Sequence, residues 1–272
     1  MIDGNNFLRH HIKNNIPFAA GKIGGTELKL LGTYLSQSEI PPDLKAEAEN
    51  VSGLVPTTPQ TLKWFSETFL EALPSMDMLC EWSRIIPQLE KSLITDKAKA
   101  HPTPLQHLEP YFFENPWTEC LEGKKVLVFS PFADSFTENF PKLDKIWNNK
   151  IVPNFKLKAV RYPTSITITD NSNYGNYKEI YDKYIKIINK EEFDVGIFGT
   201  GYTGLLFASE CKKAGKSGLH LGGATQILFG VIGNRWKAIS EFQPFFNEHW
   251  TIPKQDETPR DVNCVEDACY WS

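Results

Sequence analysis

The chain has 272 residues, of which 41% are hydrophobic and 23% charged, a composition typical of a globular protein with enough material for a sizeable core. Its formal net charge of -4 gives no general electrostatic reason to bind nucleic acid or an anionic membrane surface. No apolar run approaches the roughly 18 residues of a membrane span, so we expect at most peripheral membrane contact. The five cysteines are scattered and no apolar leader precedes them, which favours reduced thiols in a cytoplasmic protein. The closest association with a membrane that we expect is contact with its inner face.

The first 110 residues are predicted to be mainly helical. A short helix and an extended piece at 18–20 come before the glycine turn "GKIGGTE", which leads into a helix through Leu28, Leu31 and Leu35. In "TTPQTLKWFSETFLEAL", Thr58 is placed to cap a further amphipathic helix that has Pro59 at its first position. That helix is expected to pack against the rest of the protein and to carry no chemistry.

Beyond residue 124, short β-rich runs alternate with helices, as in βαβ units around a parallel sheet. The predicted strands are, in order, "KKVLVFSPF", "FKLKAVRYP", "FDVGIFG" and "SGLHLGG". The clearest helix is "NYKEIYDKYIKIINK", where Asn176 and Glu179 form a capping pair. A helix over "LLFASECKKAG" joins the last two strands.

We therefore predict an α/β fold in which a Rossmann-like parallel sheet has flanking helices and a helical N-terminal portion. The whole chain, 1–272, is expected to form a single domain. Within it, 1–110 is the mainly helical part, 111–236 is the Rossmann-like core, and 237–272 is an extended tail. The end of that tail is rich in Pro, Asp, Asn and Thr, without periodicity, and is expected to lie over the domain.

The segment "GTGYTG" spells G-x-G-x-x-G between a predicted strand and a predicted helix, and contains Gly199, Gly201 and Gly204. The backbone N–H groups of Thr200 to Tyr202 and the positive end of the helix dipole suit a phosphate group. A dinucleotide or S-adenosylmethionine site also needs an acidic residue at the end of the next strand, where this chain has "GLHLGG". Tight packing of strand against helix is the alternative reason for the three glycines.

A second glycine turn, "GKIGGTEL", also stands at a helix N-terminus, with a cation at Lys22 and a carboxylate at Glu27. Two such turns can hold a diphosphate from opposite sides. Both residues have ordinary structural explanations as well, because acidic residues in a first turn favour the helix dipole and most lysines are solvated.

The same segment resembles the R-x-G-x-x-E element of glycosyltransferases of the GT-D fold class and of related proteins from bacterial surface-polysaccharide gene clusters. The blocks "LEPYFFENPWTECLEGKKVLVFSPFADS", "GLHLGGATQILFGVIGNRW" and "FNEHWTIPKQDETP...CYW" are similar to the second group, in the same order over nearly the whole chain. Lys22 stands where the family has arginine, and "GGATQILFG" stands where characterised members have a D-x-E metal motif. These departures leave metal-independent donor binding and loss of activity open.

The resemblance implies a hexosyltransferase-type enzyme that moves a sugar from a nucleoside diphosphate sugar to a glycan or lipid-linked oligosaccharide acceptor. A UDP-sugar is the favoured donor. The process served would be polysaccharide or capsule biosynthesis. Such a reaction needs a diphosphate clamp, a base for the acceptor hydroxyl and a pocket that excludes water.

The sequence offers candidates for these roles. Glu27 and Asp134 are the candidate catalytic carboxylates, and an N-cap or turn role is an equal alternative for Asp134. Arg235 can add a bidentate phosphate contact, with Trp236 beside it as a stacking face. The candidate donor-binding residues are Lys22, Gly24, Gly25, Thr26, Gly199, Thr200, Gly201, Tyr202, His220, Gly222, Gly223, Gln226, Arg235 and Trp236. No metal ligand is predicted, although a divalent cation stays open as a cofactor.

Two other classes of function remain as alternatives. One is a non-catalytic protein of the same fold that binds a nucleotide sugar or a glycan, and the other is an NAD- or S-adenosylmethionine-dependent Rossmann enzyme. Neither G-x-S-x-G nor G-x-x-x-x-G-K-[ST] occurs in the chain, so serine hydrolases and P-loop nucleoside triphosphatases lose their main support.

Overall fold

A computed structural model of the protein describes residues 1–148, 151–170, 175–260 and 262–271. The strands in this part of the chain are β1 (Ala19–Lys22), β2 (Met78–Cys80), β3 (His101–Thr103), β4 (Lys125–Ser130), β5 (Lys156–Arg161), β6 (Val195–Phe198) and β7 (Ser217–His220). They form a seven-stranded sheet in the order β3-β2-β1-β7-β6-β4-β5, and every pair of neighbours is parallel. The predicted α/β class with a parallel sheet and flanking helices is therefore confirmed.

The α-helices of the described residues are α1 (Gly4–Lys13), α2 (Gly25–Leu35), α3 (Pro42–Glu47), α4 (Pro59–Ala72), α5 (Pro87–Ser92), α6 (Ala133–Asn139), α7 (Leu143–Ile146), α8 (Ser165–Asp170), α9 (Tyr177–Lys190), α10 (Gly204–Lys213), α11 (Ala224–Leu228) and α12 (Asn234–Lys237). Two π-helical turns cover Ala48–Ser52 and Leu93–Ala98, and short 3₁₀ turns occupy many of the connections. None of the helices described here has both the length and the apolar character needed to span a membrane.

The predicted helix caps are confirmed in atomic detail. The Thr58 hydroxyl accepts a hydrogen bond from the Thr61 amide at 3.1 Å, which satisfies one of the free N–H groups at the start of α4. At the start of α9, the Asn176 side chain accepts from the Glu179 amide, and the Glu179 carboxylate accepts from the Asn176 amide at 2.9 Å. This reciprocal pair is a capping box.

The sheet separates two hydrophobic clusters, because side chains along a strand alternate between its faces. Val126 and Val128 of β4 pack on one side, with residues of α1, α6, α7 and α11. Leu127 and Phe129 pack on the other side, with residues of α2, α4, α9 and α10. Burial on both faces explains why the central strands read as continuous apolar runs.

Strands β2 and β3 were not predicted, and they extend the sheet into the first 110 residues. Each has three residues, which is too short to show a period. Pro102 also lies in the middle of β3, and proline argues against a strand unless the strand is at an edge. β3 is indeed the edge strand next to β2, so the N-terminal part supplies β1, β2 and β3 of the sheet as well as helices.

The C-terminal tail packs against the start of α6 and is anchored there by buried groups. Glu257 is 3% exposed, and its carboxylate accepts hydrogen bonds from the Asp134 and Ser135 amides at 2.8 and 3.1 Å. Those amides belong to the first turn of α6, where a carboxylate is favoured by the helix dipole. The Trp271 indole N–H donates to the Glu257 carbonyl at 2.9 Å and closes the tail onto this anchor.

Gly218 allows α10 to pack directly on β7. A Cβ atom at position 218 would lie 2.5 Å from the Ala208 Cα and carbonyl oxygen, which are backbone atoms that cannot turn aside. We expect Gly218→Ala to lower the free energy of unfolding by about 1–3 kcal/mol, as overpacked core positions do. Urea unfolding followed by circular dichroism measures this change.

Gly32→Ala is the matched control for that substitution. A Cβ at position 32 would meet only the far end of the Leu89 side chain, at 3.3 Å, and alanine is the better helix former. The control should therefore leave stability unchanged or raise it. Equal unfolding curves for the two variants would contradict the close approach of α10 to β7.

Candidate functional site

A cavity of about 500 Å³ opens at the carboxyl ends of the parallel strands. This volume lies within the range of small-molecule sites, roughly 300–1,000 Å³, and the edge is where open α/β sheets bind their ligands. Segments that follow β1, β2, β4, β5, β6 and β7 line the cavity, together with residues near 50 and the tail near 270. The predicted residues found in its wall are Lys22, Gly24, Gly25, Thr26, Glu27, Gly199, Thr200, Gly201, His220, Gly222, Gly223, Gln226 and Arg235.

Glu27 is a buried carboxylate in the wall formed by α2. It is the third residue of that helix, and Gly24 is the N-cap, so it stands where the glutamate of a capping box stands. A side chain on Gly24 would collide with the Glu27 carboxylate. The Ser52 hydroxyl donates to Glu27 Oε1 at 2.8 Å. Burial raises the pKa of Glu27, while the bond from Ser52 and the charge of Lys22 act in the opposite direction.

Lys22 is the last residue of β1 and carries its amine into the same wall. Within the described ranges, no hydrogen bond or ion pair engages its Nζ atom, which lies 5.0 Å from the centroid of the Trp82 ring. That distance is within the range of a cation–π contact. Burial is the largest effect on the pKa of Lys22 and lowers it, and the charge of Arg235 lowers it further. The charges of Glu109 and Cys80 act in the opposite direction. Lys22 and Arg235 therefore repel each other electrostatically.

Gly222 and Gly223 lie between Lys22 and Arg235. A Cβ on Gly222, whose φ is +60°, would lie 3.2 Å from Lys22 Cε, and a Cβ on Gly223 would lie 2.9 Å from Tyr270 Cε1 and 3.4 Å from Arg235 Nη1. Gly222 therefore leaves room beside Lys22, and Gly223 admits the Tyr270 ring next to Arg235. Two positive groups that face one bare stretch of backbone make a region suited to an anion.

Arg235 belongs to the short helix α12 and is held by the tail. Its guanidinium stacks on the Tyr270 ring, 4.7 Å from Cζ to the centroid, and Nη1 donates to the Tyr270 hydroxyl at 3.1 Å. Nη2 forms an ion pair with Glu266. The Arg235 amide donates to the Cys269 carbonyl at 2.8 Å, so backbone contacts fix the helix and the tail together.

His220 ends β7 and is built tightly into the floor of the cavity. Its Nδ1 lies 3.2 Å from the Phe198 carbonyl, which can only accept, so Nδ1 carries the proton of the neutral ring. A Cβ on Gly21 would lie 2.8 Å from His220 Cβ, and one on Gly204 would collide with the imidazole. Burial and the nearby charge of Lys22 lower the pKa of His220 to about 3.

The three glycines of G-x-G-x-x-G face protein atoms where a side chain would stand, while Gly199, Thr200 and Gly201 also line the cavity. The phosphate cradle expected there stays a prediction. A Cβ on Gly199 would lie 2.9 Å from the Gly222 carbonyl oxygen. Gly201 has a φ of +55° and packs against the Ser52 carbonyl, and Gly204 packs against His220. Tight packing, the alternative explanation, accounts for each of the three positions.

Three of the predicted residues do not line the cavity. Asp134 is half-exposed beside Arg161, at 3.4 Å, and its amide rather than its carboxylate makes the contact with Glu257. Tyr202 is buried in the core, where its hydroxyl donates to the Tyr177 carbonyl at 3.1 Å. Trp236 lies behind the wall, and its indole N–H donates to Gln226 Oε1 at 3.3 Å. The second carboxylate and the stacking face expected from the sequence are therefore not part of this cavity.

Gln226 lines the cavity, but both ends of its amide are occupied. Oε1 accepts from Trp236, and Nε2 donates to the Tyr270 carbonyl at 2.7 Å. Because the residue is 2% exposed, these two bonds account for its polar side chain. Gln226 therefore connects α11, to which it belongs, with α12 and the tail.

Several residues of the site were missed by sequence reasoning. Trp82 follows the unpredicted strand β2, and its indole N–H donates to the Ile23 carbonyl at 3.0 Å. Ser52 comes from a π-helical turn, and Glu266 and Tyr270 come from the tail, which has no periodicity. The one available signal was the aromatic content of "ACYW", which is unusual for a free tail. Over the described residues, no group of three or more His, Cys, Asp or Glu side chains is arranged to hold a metal ion.

Comparisons with protein-family models, with curated proteins and with solved structures found no match to this chain.

The low pKa of His220 predicts a specific loss of stability in acid. The unfolded chain binds a proton near pH 6.5 and the folded chain only near pH 3, so unfolding is favoured as the pH falls through this window. One such proton is worth at most about 1.4 kcal/mol per pH unit, or about 2 kcal/mol between pH 7.5 and 5. His220→Gln, whose amide can still donate to Phe198, should lose about that much less than the parent. Urea unfolding at pH 7.5 and 5 measures the difference, and parallel losses would contradict the neutral, buried imidazole.

Proposed function

We propose that this protein is a glycosyltransferase that transfers a sugar from a nucleoside diphosphate sugar to a glycan or lipid-linked acceptor. The observation that carries the proposal is the pair of cations, Lys22 and Arg235, on either side of Gly222–Gly223 in a cavity of about 500 Å³. A diphosphate matches this region in charge and leaves in the reaction as an anion that the two cations stabilise. The GT-D class and the role in surface polysaccharide or capsule synthesis rest on the sequence resemblance.

The diphosphate region in this proposal differs from the one expected from the sequence. The bare backbone lies at Gly222–Gly223, after β7, and the first glycine turn contributes Lys22 and the start of α2. The eleven residues of α2 add the positive end of a helix dipole on the same side. Trp82 supplies an aromatic surface beside Lys22, a suitable face for a sugar ring.

Glu27 is the proposed base for the acceptor hydroxyl. Burial raises its pKa, which makes the carboxylate a better proton acceptor than an exposed one. Lys22 on one side and Ser52 on the other keep the ionised form accessible. Metal-independent transfer is the version of the reaction that these residues support, since the positive charges come from side chains.

A nucleotide-sugar-binding protein without catalysis is the second candidate. The observation that favours it is the structural role of Glu27, which fills the capping position of α2 and accepts a bond from Ser52. A carboxylate with such a structural position can belong to a binding site only. The nicotinamide and S-adenosylmethionine alternatives have no such support, because His220 ends the strand where a ribose-binding carboxylate is needed.

Binding of UDP tests the diphosphate region. We expect UDP to bind the parent protein and Lys22→Met to weaken binding about 10- to 100-fold, because a charge-assisted contact to phosphate is lost while the stem still packs on Trp82. Isothermal titration calorimetry measures both dissociation constants. Lys63→Met is the control, since Lys63 is two-thirds exposed on α4 and, among the described residues, pairs only with Glu67. Equal affinities for the parent and Lys22→Met would remove Lys22 from the site.

Product formation separates the enzyme from the binding protein. With a panel of UDP-sugars, Glu27→Gln should lower kcat about 10²- to 10⁴-fold if Glu27 is the base, while UDP affinity stays within a few-fold of the parent. Glu47→Gln is the matched control, because Glu47 lies in the same wall but is tied to Lys29 and Thr26. Full activity of Glu27→Gln would exclude Glu27 as the base. UDP binding without product from any donor would favour the binding protein.

A further inference from the structure

The C-terminal segment 265–271 forms one wall of the cavity and places a carboxylate on the guanidinium of Arg235. We call this segment the strap. Val265, Glu266, Tyr270 and Trp271 of the strap line the cavity. Its end is fixed to the start of α12, because the Asn234 amide donates to the Trp271 carbonyl at 3.1 Å and the Arg235 amide donates to the Cys269 carbonyl at 2.8 Å. Glu266 comes before both anchored residues, Cys269 and Trp271, along the chain.

The backbone around Glu266 has an uncommon conformation. Glu266, Asp267 and Ala268 are consecutive residues with φ values of 45°, 54° and 57°, in the left-handed region that residues other than glycine rarely adopt. A run of three such residues is held by its contacts rather than by local preference. The Glu266–Arg235 ion pair and the bond from Cys269 Sγ to Glu266 Oε2, 3.3 Å long, are the side-chain contacts that engage Glu266.

Arg235 has donors to spare beyond these contacts. Nη1 donates to Tyr270, Nη2 pairs with Glu266, and the Cys269 thiol is a further side-chain partner of Arg235, which together are fewer than the five N–H donors of a guanidinium. Stacking on Tyr270 fixes the plane of the fork, which prepares it for a two-point contact with a phosphate. The Glu266 carboxylate presents a negative charge to this guanidinium, as such a phosphate would.

We propose that Glu266 is an internal stand-in for the phosphate of the ligand, and that a bound diphosphate displaces it from Arg235. The proposal rests on the proposed function, namely that the cavity takes a nucleoside diphosphate. Opening the Glu266–Arg235 ion pair costs little free energy, because its side chains are 32% and 42% exposed and ion pairs of this exposure contribute little to stability. The displacement selects for ligands that carry phosphate, since a neutral sugar or nucleoside cannot replace the carboxylate.

A matched pair of strap variants tests the displacement. Glu266→Gln keeps the side-chain length and removes the competing charge, so the affinity for UDP and for inorganic pyrophosphate should rise about two- to five-fold at low salt. Asp267→Asn removes the same charge from the neighbouring exposed residue, which forms no ion pair in the described chain, and asparagine tolerates a φ of 54°. Its affinity should equal that of the parent. The gain of Glu266→Gln should shrink at high salt.

Calorimetry with UDP, pyrophosphate and uridine distinguishes the outcomes. A gain for both phosphate ligands with Glu266→Gln alone supports the displacement. Tight UDP binding by the parent with no gain in Glu266→Gln overturns it and leaves the proposed function standing. Equal gains in the two variants, a gain for uridine, or weaker binding by Glu266→Gln also overturns it. Binding of neither UDP nor pyrophosphate by any of the three proteins overturns this proposal together with the proposed function.

Discussion

The site depends on how closely the backbone of β7 is approached by its neighbours. Gly218 lets α10 come within contact of the strand, and Gly21 and Gly204 leave the space that the His220 ring fills. Because β7 pairs in parallel with β1 on one side and β6 on the other, the segments that leave the carboxyl ends of these three strands lie side by side. This pairing brings Lys22, the last residue of β1, and Gly222, which follows β7, into the same cavity wall.

Charge within the cavity is arranged by the same framework. Lys22 is the last residue of β1 and Arg235 lies in α12. The backbone of Gly222–Gly223, which carries no side chains, lies between them. Each cation has at least one carboxylate near it: Glu109 and Glu27 raise the pKa of Lys22, and Glu266 pairs with Arg235. Such an arrangement places two positive groups in one cavity wall while nearby carboxylates offset their charge.

The sequence predicted those parts of the fold whose signals are local. The capping box at Asn176 and the N-cap at Thr58 need only neighbouring residues, and β4 to β7 have clear apolar runs. Strands β2 and β3 were missed because three residues have no period, and β3 contains Pro102. Their place in the sheet is set by pairing with β1, which is a long-range contact.

The same distinction applies to the site. Lys22, Glu27 and Gly222 were found because they stand next to glycine turns at strand ends, where parallel sheets bind ligands. Asp134 satisfied the same rule and yet lies outside the cavity. The free amides at the start of its helix, α6, donate to the carboxylate of Glu257. Glu257 is more than a hundred positions away in the sequence, in a tail without periodicity. Nothing near Asp134 in the sequence signals that partner.

The two glycine groups show what a glycine pattern can and cannot establish. Gly199, Gly201 and Gly204 fit a known phosphate motif, but each one faces a protein atom that would meet its side chain. Gly222 differs, because the atom nearest its missing Cβ belongs to the Lys22 side chain in the cavity wall, whereas Gly223 admits the Tyr270 ring, 2.9 Å away. A glycine that admits backbone packing and one that admits a ligand have the same letter and the same freedom in φ. What separates them is the group on the other side of the missing Cβ, and the spacing of glycines along the chain carries no information about that group.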